Sequence, residues 1–68
     1  MSVARVTEII SSSSESFDDA LNKGIQRANQ TLKNVKGAWV DGQKVICDKH
    51  GDIKEYRVIL KVTFVLDD

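Results

Sequence analysis

The stretch that decides the fold is SFDDALNKGIQRANQTLKNVKG, which spans residues 16–37. Its small and apolar side chains recur every three or four residues, the spacing of one face of an amphipathic helix. The members of this face are Phe17, Ala20, Leu21, Gly24, Ile25, Ala28, Leu32 and Val35. The pattern predicts a helix that begins after Ser16 and ends at Gly37.

The ends of this helix carry their own signals. Ser16 and Asp19 are three residues apart, so each side chain can accept a hydrogen bond from the other's backbone N–H, as in a capping box. Lys33 and Lys36 lie near the predicted C-terminal end, where a positive charge interacts favourably with the helix dipole. Gly24 in the apolar face costs about 1 kcal/mol relative to alanine. We therefore expect the helix to pack closely on a sheet at Gly24.

Three other segments have the character of β-strands. Residues 4–10 are rich in β-branched side chains, and we expect the serines at 11–14 to end this first strand. A second strand is predicted over residues 38–48, with a bulge or bend at Gly42. Residues 48–52 then form a turn in which Gly51 takes a positive φ.

The last segment, residues 56–66, alternates between two faces. One face is apolar throughout and covers the helix. The other carries Ile59 and Val65, joined by Trp39 from the neighbouring strand, and is more apolar than a solvent-facing surface. Since one helix cannot cover both faces, we expect copies of the same chain to complete the burial around a symmetry axis.

The size of the chain supports this expectation. A chain of 68 residues buries only roughly 60% of the surface that its unfolded form exposes. One cysteine excludes an internal disulfide, and Cys47 with His50 falls short of a zinc site. Oligomerisation is the stabilising device that remains.

Composition argues against several classes of function. Ten basic and ten acidic side chains cancel, so no net field favours a nucleic acid or a membrane as partner. The sequence shows no export signal or membrane span, which predicts a cytoplasmic protein.

The candidate reactive side chains are few. Cys47 and His50 lack a third residue to orient the imidazole, and Asp48, His50 and Asp52 are typical turn residues rather than a metal site. We therefore predict no catalytic and no metal-ligating residues. Trp39 can either fill an oligomer interface or stack on a planar ligand, and composition alone favours the interface.

Several motifs together resemble the dodecin family of small flavin-binding proteins, over nearly the whole chain. They are residues 5–9 (RVTEI), 16–20 (SFDDA), 27–35 (RANQTLKNV), 55–58 (EYRV) and 61–67 (KVTFVLD). The resemblance implies an α+β fold: one β-α-β-β domain over residues 1–68, with a three-stranded antiparallel sheet wrapped around one helix. It also implies assembly as a hollow, cubic-symmetric homododecamer.

The resemblance further implies a non-catalytic role in storing and buffering a flavin, FMN or riboflavin. In flavin-binding members a tryptophan that begins the second strand and a glutamine early in the third hold the ring. Here these positions are Gly37 and Arg57, while Trp39 lies two residues later on the same face, displaced by roughly 7 Å. The Arg57 guanidinium can stack on the ring but cannot accept a hydrogen bond from its imide.

The candidate cofactor-binding residues are therefore Gly37, Trp39 and Arg57. The alternative that remains open is a dodecin-like shell without flavin, which has a structural or ion-binding role.

Overall fold

A computed structural model describes residues 3–66 of the chain. Its elements are β1 (Ala4–Ser13), α1 (Phe17–Thr31), β2 (Val35–Cys47) and β3 (Ile53–Val65). The strands form one sheet in the order β1-β3-β2, and both strand pairs are antiparallel. The predicted α+β fold, with β-α-β-β order and one helix, is confirmed.

The core lies between α1 and the central strand β3. We call the sheet face toward α1 the inner face and the opposite face the outer face. Gly24 lies at the closest approach, where an added Cβ would stand 2.9 Å from Ser11 Cβ and 3.1 Å from Leu60 Cδ1. The predicted close contact is confirmed. The buried core residues are Ala20, Ala28, Val58, Leu60 and Val62.

The start of α1 is held by a small polar network. The Ser16 hydroxyl accepts a hydrogen bond from the backbone N–H of Asp19 at 2.9 Å, which is the first half of the predicted capping box. The Asp19 carboxylate instead accepts from the Ser13 hydroxyl at 2.5 Å and pairs with Lys23 Nζ at 2.8 Å. The network therefore ties the helix to the end of β1.

This network makes stability depend on pH. Hydrogen bonds from Lys23 and Ser13 lower the pKa of Asp19 below its ordinary value of 3.8. A lowered carboxyl pKa contributes stability above the unfolded value, and this contribution is lost as pH falls through the folded value. We expect Asp19→Asn to lower the urea midpoint at pH 6, with the deficit shrinking below about pH 4.

Asp18→Asn is the matched control, because Asp18 lies in the same helical turn but makes no side-chain contact to Ser13 or Lys23. An Asp19→Asn deficit that is equal at pH 6 and pH 3 would contradict the network's role.

The first strand is longer than the sequence pattern predicts. The serines were expected to end it after residue 10, but Ser11 pairs with Val58 and Ser13 with Tyr56 on β3. The Ser13 hydroxyl also accepts from the backbone N–H of Glu15 at 2.9 Å. The prediction was wrong because pairing with a long central strand outweighs the weak strand propensity of serine.

The helix is shorter than the periodicity predicts. It ends at Thr31, Leu32 is already extended, and Asn34 takes a left-handed φ of 63°. Val35 begins β2 and pairs with Phe64, so its apolar side chain packs from a strand and not from the helix. The prediction of a helix end at Gly37 was wrong because strand pairing took over the last apolar position. The two lysines expected in the last turn lie beyond it: Lys33 and Lys36.

The β2–β3 hairpin agrees with its turn and bulge signals. The register shifts between Val40 and Gly42, and Gly51 in the turn has a φ of 85°, so both predictions are confirmed. Both strands begin three residues earlier and end one residue earlier than expected: β2 is Val35–Cys47 instead of 38–48, and β3 is Ile53–Val65 instead of 56–66.

Candidate ligand-binding face of the sheet

Cross-strand partners share a face of the sheet, so the register assigns the outer face residue by residue. The buried β3 side chains point to α1, and the alternate ones, such as Ile59 and Lys61, point away. Ile10 pairs with Ile59 and Trp39 with Lys61. Ile10 is 67% exposed and Trp39 is 63% exposed. The predicted apolar second face is confirmed.

An open notch lies beside the indole of Trp39. Gly37 pairs with Thr63 on the outer face, and nothing lies within 4 Å of a Cβ built on Gly37. We call this depression the Trp39 notch; its lining also includes Lys36 and Ala38. The indole is therefore reachable by a planar ligand, since its ring is exposed and the neighbouring position has no side chain.

A cation and a carboxylate border the other side of Trp39. The Lys61 Nζ lies 3.7 Å from Asp41 Oδ1, and both side chains are about half exposed. An exposed ion pair at this distance contributes little to stability. The Trp39 side chain itself stays exposed beside this ion pair.

Arg57 lies on the outer face but apart from the notch. It pairs with Lys44 across the sheet, and its Nε donates to Glu55 Oε1 at 3.2 Å. Arg57 is four residues from Lys61 along β3, roughly 13 Å at strand rise. Within one chain the structure therefore brings Gly37 and Trp39 together, and it does not bring Arg57 to them.

The turn after β2 is closed by hydrogen bonds from its own backbone to an aspartate side chain. The Asp48 carboxylate accepts from the backbone N–H groups of His50 at 2.8 Å and Asp52 at 3.1 Å. Cys47 is exposed at the end of β2. Within residues 3–66 no group of three His, Cys, Asp or Glu side chains is placed to hold a metal ion.

The helix does not have the character of a membrane span. Among the described residues, no helical segment is both long and apolar enough to cross a bilayer.

Comparison with known families and proteins identifies this arrangement. A family model described as Dodecin matches residues 3–67. The chain belongs to the dodecin family. A dodecin relative named Calcium dodecin, from Mycobacterium tuberculosis, is 36% identical over 64 residues, which cover 94% of this chain and 89% of that protein.

Solved dodecin structures share the fold throughout. A dodecin from Streptomyces davaonensis has a TM-score of 0.92 at 37% identity, with 98% of this chain and 97% of that chain covered. The crystal structure of calcium dodecin from M. tuberculosis, described as having a novel calcium-binding site, has a TM-score of 0.84 at 32% identity. That comparison covers 96% of this dodecin and 91% of the other chain.

Part of the outer face was missed at the sequence level. Val6 and Ile10 in β1 extend the apolar surface next to Ile59. The signal was present, because Val6 and Ile10 are four residues apart and so share a face of a strand. It was obscured by Glu8, a charged residue that lies between them on the same face and pairs with Lys61.

Proposed function

We propose that this dodecin is a non-catalytic, single-domain subunit (residues 1–68) of a hollow, cubic-symmetric homododecamer that stores and buffers a flavin in the cytoplasm. FMN or riboflavin stacks on Trp39 at the outer face. The observation that carries the proposal is the exposed indole beside the open Trp39 notch. An exposed aromatic ring on an apolar sheet face is suited to stacking.

The assembly and the ligand site depend on each other. Trp39 and Arg57 of one chain lie on the same face but at different levels of the sheet. Because the Arg57 guanidinium is held by Glu55, away from the notch, we assign the arginine that would meet a ligand stacked on Trp39 to a neighbouring subunit. The outer face would be buried in the same contact, which supplies the area that one small subunit lacks.

Trp39 is the only tryptophan, so its own emission reports ligand stacking. We expect micromolar FMN and riboflavin to quench Trp39 emission, and the wild-type protein to quench flavin emission. Trp39→Ala should abolish quenching of the flavin, because the stacking ring is gone. Val40→Ala is the control, since Val40 points to the inner face opposite Leu60. A lack of quenching in the wild type would contradict flavin binding but not the proposed homododecamer.

A second aromatic ring beside Trp39 should raise the affinity of the site for flavin. We expect Gly37→Trp combined with Arg57→Gln to raise flavin affinity about tenfold, or about 1.4 kcal/mol. The outer face has room for a side chain at Gly37, and glutamine supplies an acceptor for the imide. Equilibrium titration of both single variants and the double variant measures the effect. An unchanged affinity in the double variant would place the pocket elsewhere.

A second candidate function is an ion-binding shell without flavin. It is favoured by the similarity to a relative named Calcium dodecin and by the engagement of Arg57 with Glu55. Because residues 3–66 of one chain form no three-ligand cluster, carboxylates from several subunits would have to meet. We expect Ca²⁺ to raise the unfolding midpoint of the assembly more than equimolar Mg²⁺. Equal midpoints with the two ions would contradict this candidate.

A further inference from the structure

A β-bulge places a lysine beside the Trp39 notch. The register between β2 and β3 shifts between Val35 and Gly37, so Lys36 has no β3 partner of its own. The extra residue of a bulge leaves the regular alternation of its strand, which re-aims its side chain. Val35 packs against the core, whereas Lys36 is exposed and lines the notch together with Trp39. The bulge therefore brings an ammonium group to the site of the exposed indole.

Lys36 and Lys61 both lie near Trp39, but their electrostatic surroundings differ. Lys61 has two carboxylates as neighbours, because Glu8 is its cross-strand partner on β1 and Asp41 Oδ1 lies 3.7 Å from its Nζ. In the described part of the chain Lys36 forms no ion pair. An anion beside Lys61 would be repelled by two negative charges, whereas an anion beside Lys36 would meet a positive charge that no carboxylate compensates.

The path from the indole to Lys36 is open and uncharged. The level of the sheet next to Trp39 holds Val6, Thr63 and Gly37 on its outer face, and nothing lies within 4 Å of a Cβ built on Gly37. Lys36 is three residues from Trp39, roughly 10 Å at strand rise. The ribityl chain of FMN carries its phosphate away from the isoalloxazine ring over a comparable span. A ring stacked on Trp39, with its chain directed along β2, therefore brings the phosphate to Lys36.

We infer that the Trp39 notch selects FMN over riboflavin and that Lys36 is the residue that binds the phosphate. The two flavins differ only in this phosphate, so their rings stack on Trp39 alike. A phosphate monoester carries between one and two negative charges at neutral pH, and a lysine ammonium binds it as a point charge. The inference rests on the proposed flavin function and deepens it, because it names one of the two flavins as the ligand.

Equilibrium titration of both flavins against the full-length protein at low ionic strength tests the inference. We expect the wild type to bind FMN about tenfold more tightly than riboflavin, and this preference to shrink as added salt screens the charge. Lys36→Met should remove the preference by weakening FMN alone, with riboflavin affinity unchanged. Lys36→Glu should make FMN the weaker ligand of the two, because the phosphate then meets a like charge.

Lys33→Met is the matched control. Lys33 carries the same charge but lines a different depression, together with Thr31 and Leu66, so this variant should keep the wild-type preference. Equal wild-type affinities for the two flavins would overturn the inference and leave flavin binding in place. A preference for FMN that survives Lys36→Met, or that both variants lose equally, would overturn it as well. Binding of neither flavin by the wild type would overturn the proposed function, and the inference with it.

Discussion

Gly24→Val is expected to lower the free energy of unfolding by about 3 kcal/mol, the upper part of the range for overpacked cores. The valine Cβ would stand 2.9 Å from Ser11 Cβ, and its methyl groups would meet Leu60. Neither neighbour can withdraw easily, because Ser11 is held in β1 and Leu60 is fully buried. Replacing a glycine in the interior of a helix usually stabilises a protein, because glycine has a low helix propensity. The loss of stability expected for Gly24→Val is therefore the opposite of what helix propensity alone predicts.

Gly37→Val is the matched control. Gly37 lies in β2 with nothing within 4 Å of an added Cβ, and valine favours a strand. Urea unfolding at one protein concentration should show a large loss at position 24 and no loss at position 37. A Gly24→Val protein as stable as the wild type would mean that α1 does not pack on β1 and β3 as described.

Ile10→Asp is expected to break the assembly without altering the contacts inside the subunit. In one subunit the Ile10 side chain is 67% exposed, so an aspartate there remains hydrated. In the proposed shell the same position is covered by a neighbouring copy. An unpaired carboxylate there would cost several kcal/mol per subunit. Sedimentation should show small species, and these should unfold at a lower urea concentration than the wild-type assembly does.

Ser12→Asp is the control for this prediction. Ser12 lies on the same face of the same strand, two residues on, and pairs with Arg57, so an aspartate there gains a cation. We expect this variant to keep the wild-type mass. If Ile10→Asp also keeps the wild-type mass, the outer face at Ile10 is not a subunit contact.

Local sequence patterns predicted most of the elements but not their ends. The periodicity around Ala20, Gly24 and Ala28 placed the helix correctly, and Gly42 and Gly51 marked the bulge and the turn. The ends failed where tertiary pairing competes with local preference. Val35 fits the helical face, yet it pairs with Phe64 as a strand residue.

The candidate site was predictable in part. Alternation along β3 and the position of Trp39 were enough to place an exposed indole on an apolar face. Spacing alone could not show that Arg57 lies at another level of the sheet, because that depends on the register between β2 and β3.

The most direct test of the central claim is the solution mass of the wild-type protein. Sedimentation equilibrium at low micromolar concentration and moderate salt should give one species of about 91 kDa, twelve times the 7.6 kDa subunit. This result is expected because the apolar outer face needs cover from other copies. A stably folded species of 7.6 kDa under the same conditions would contradict the account.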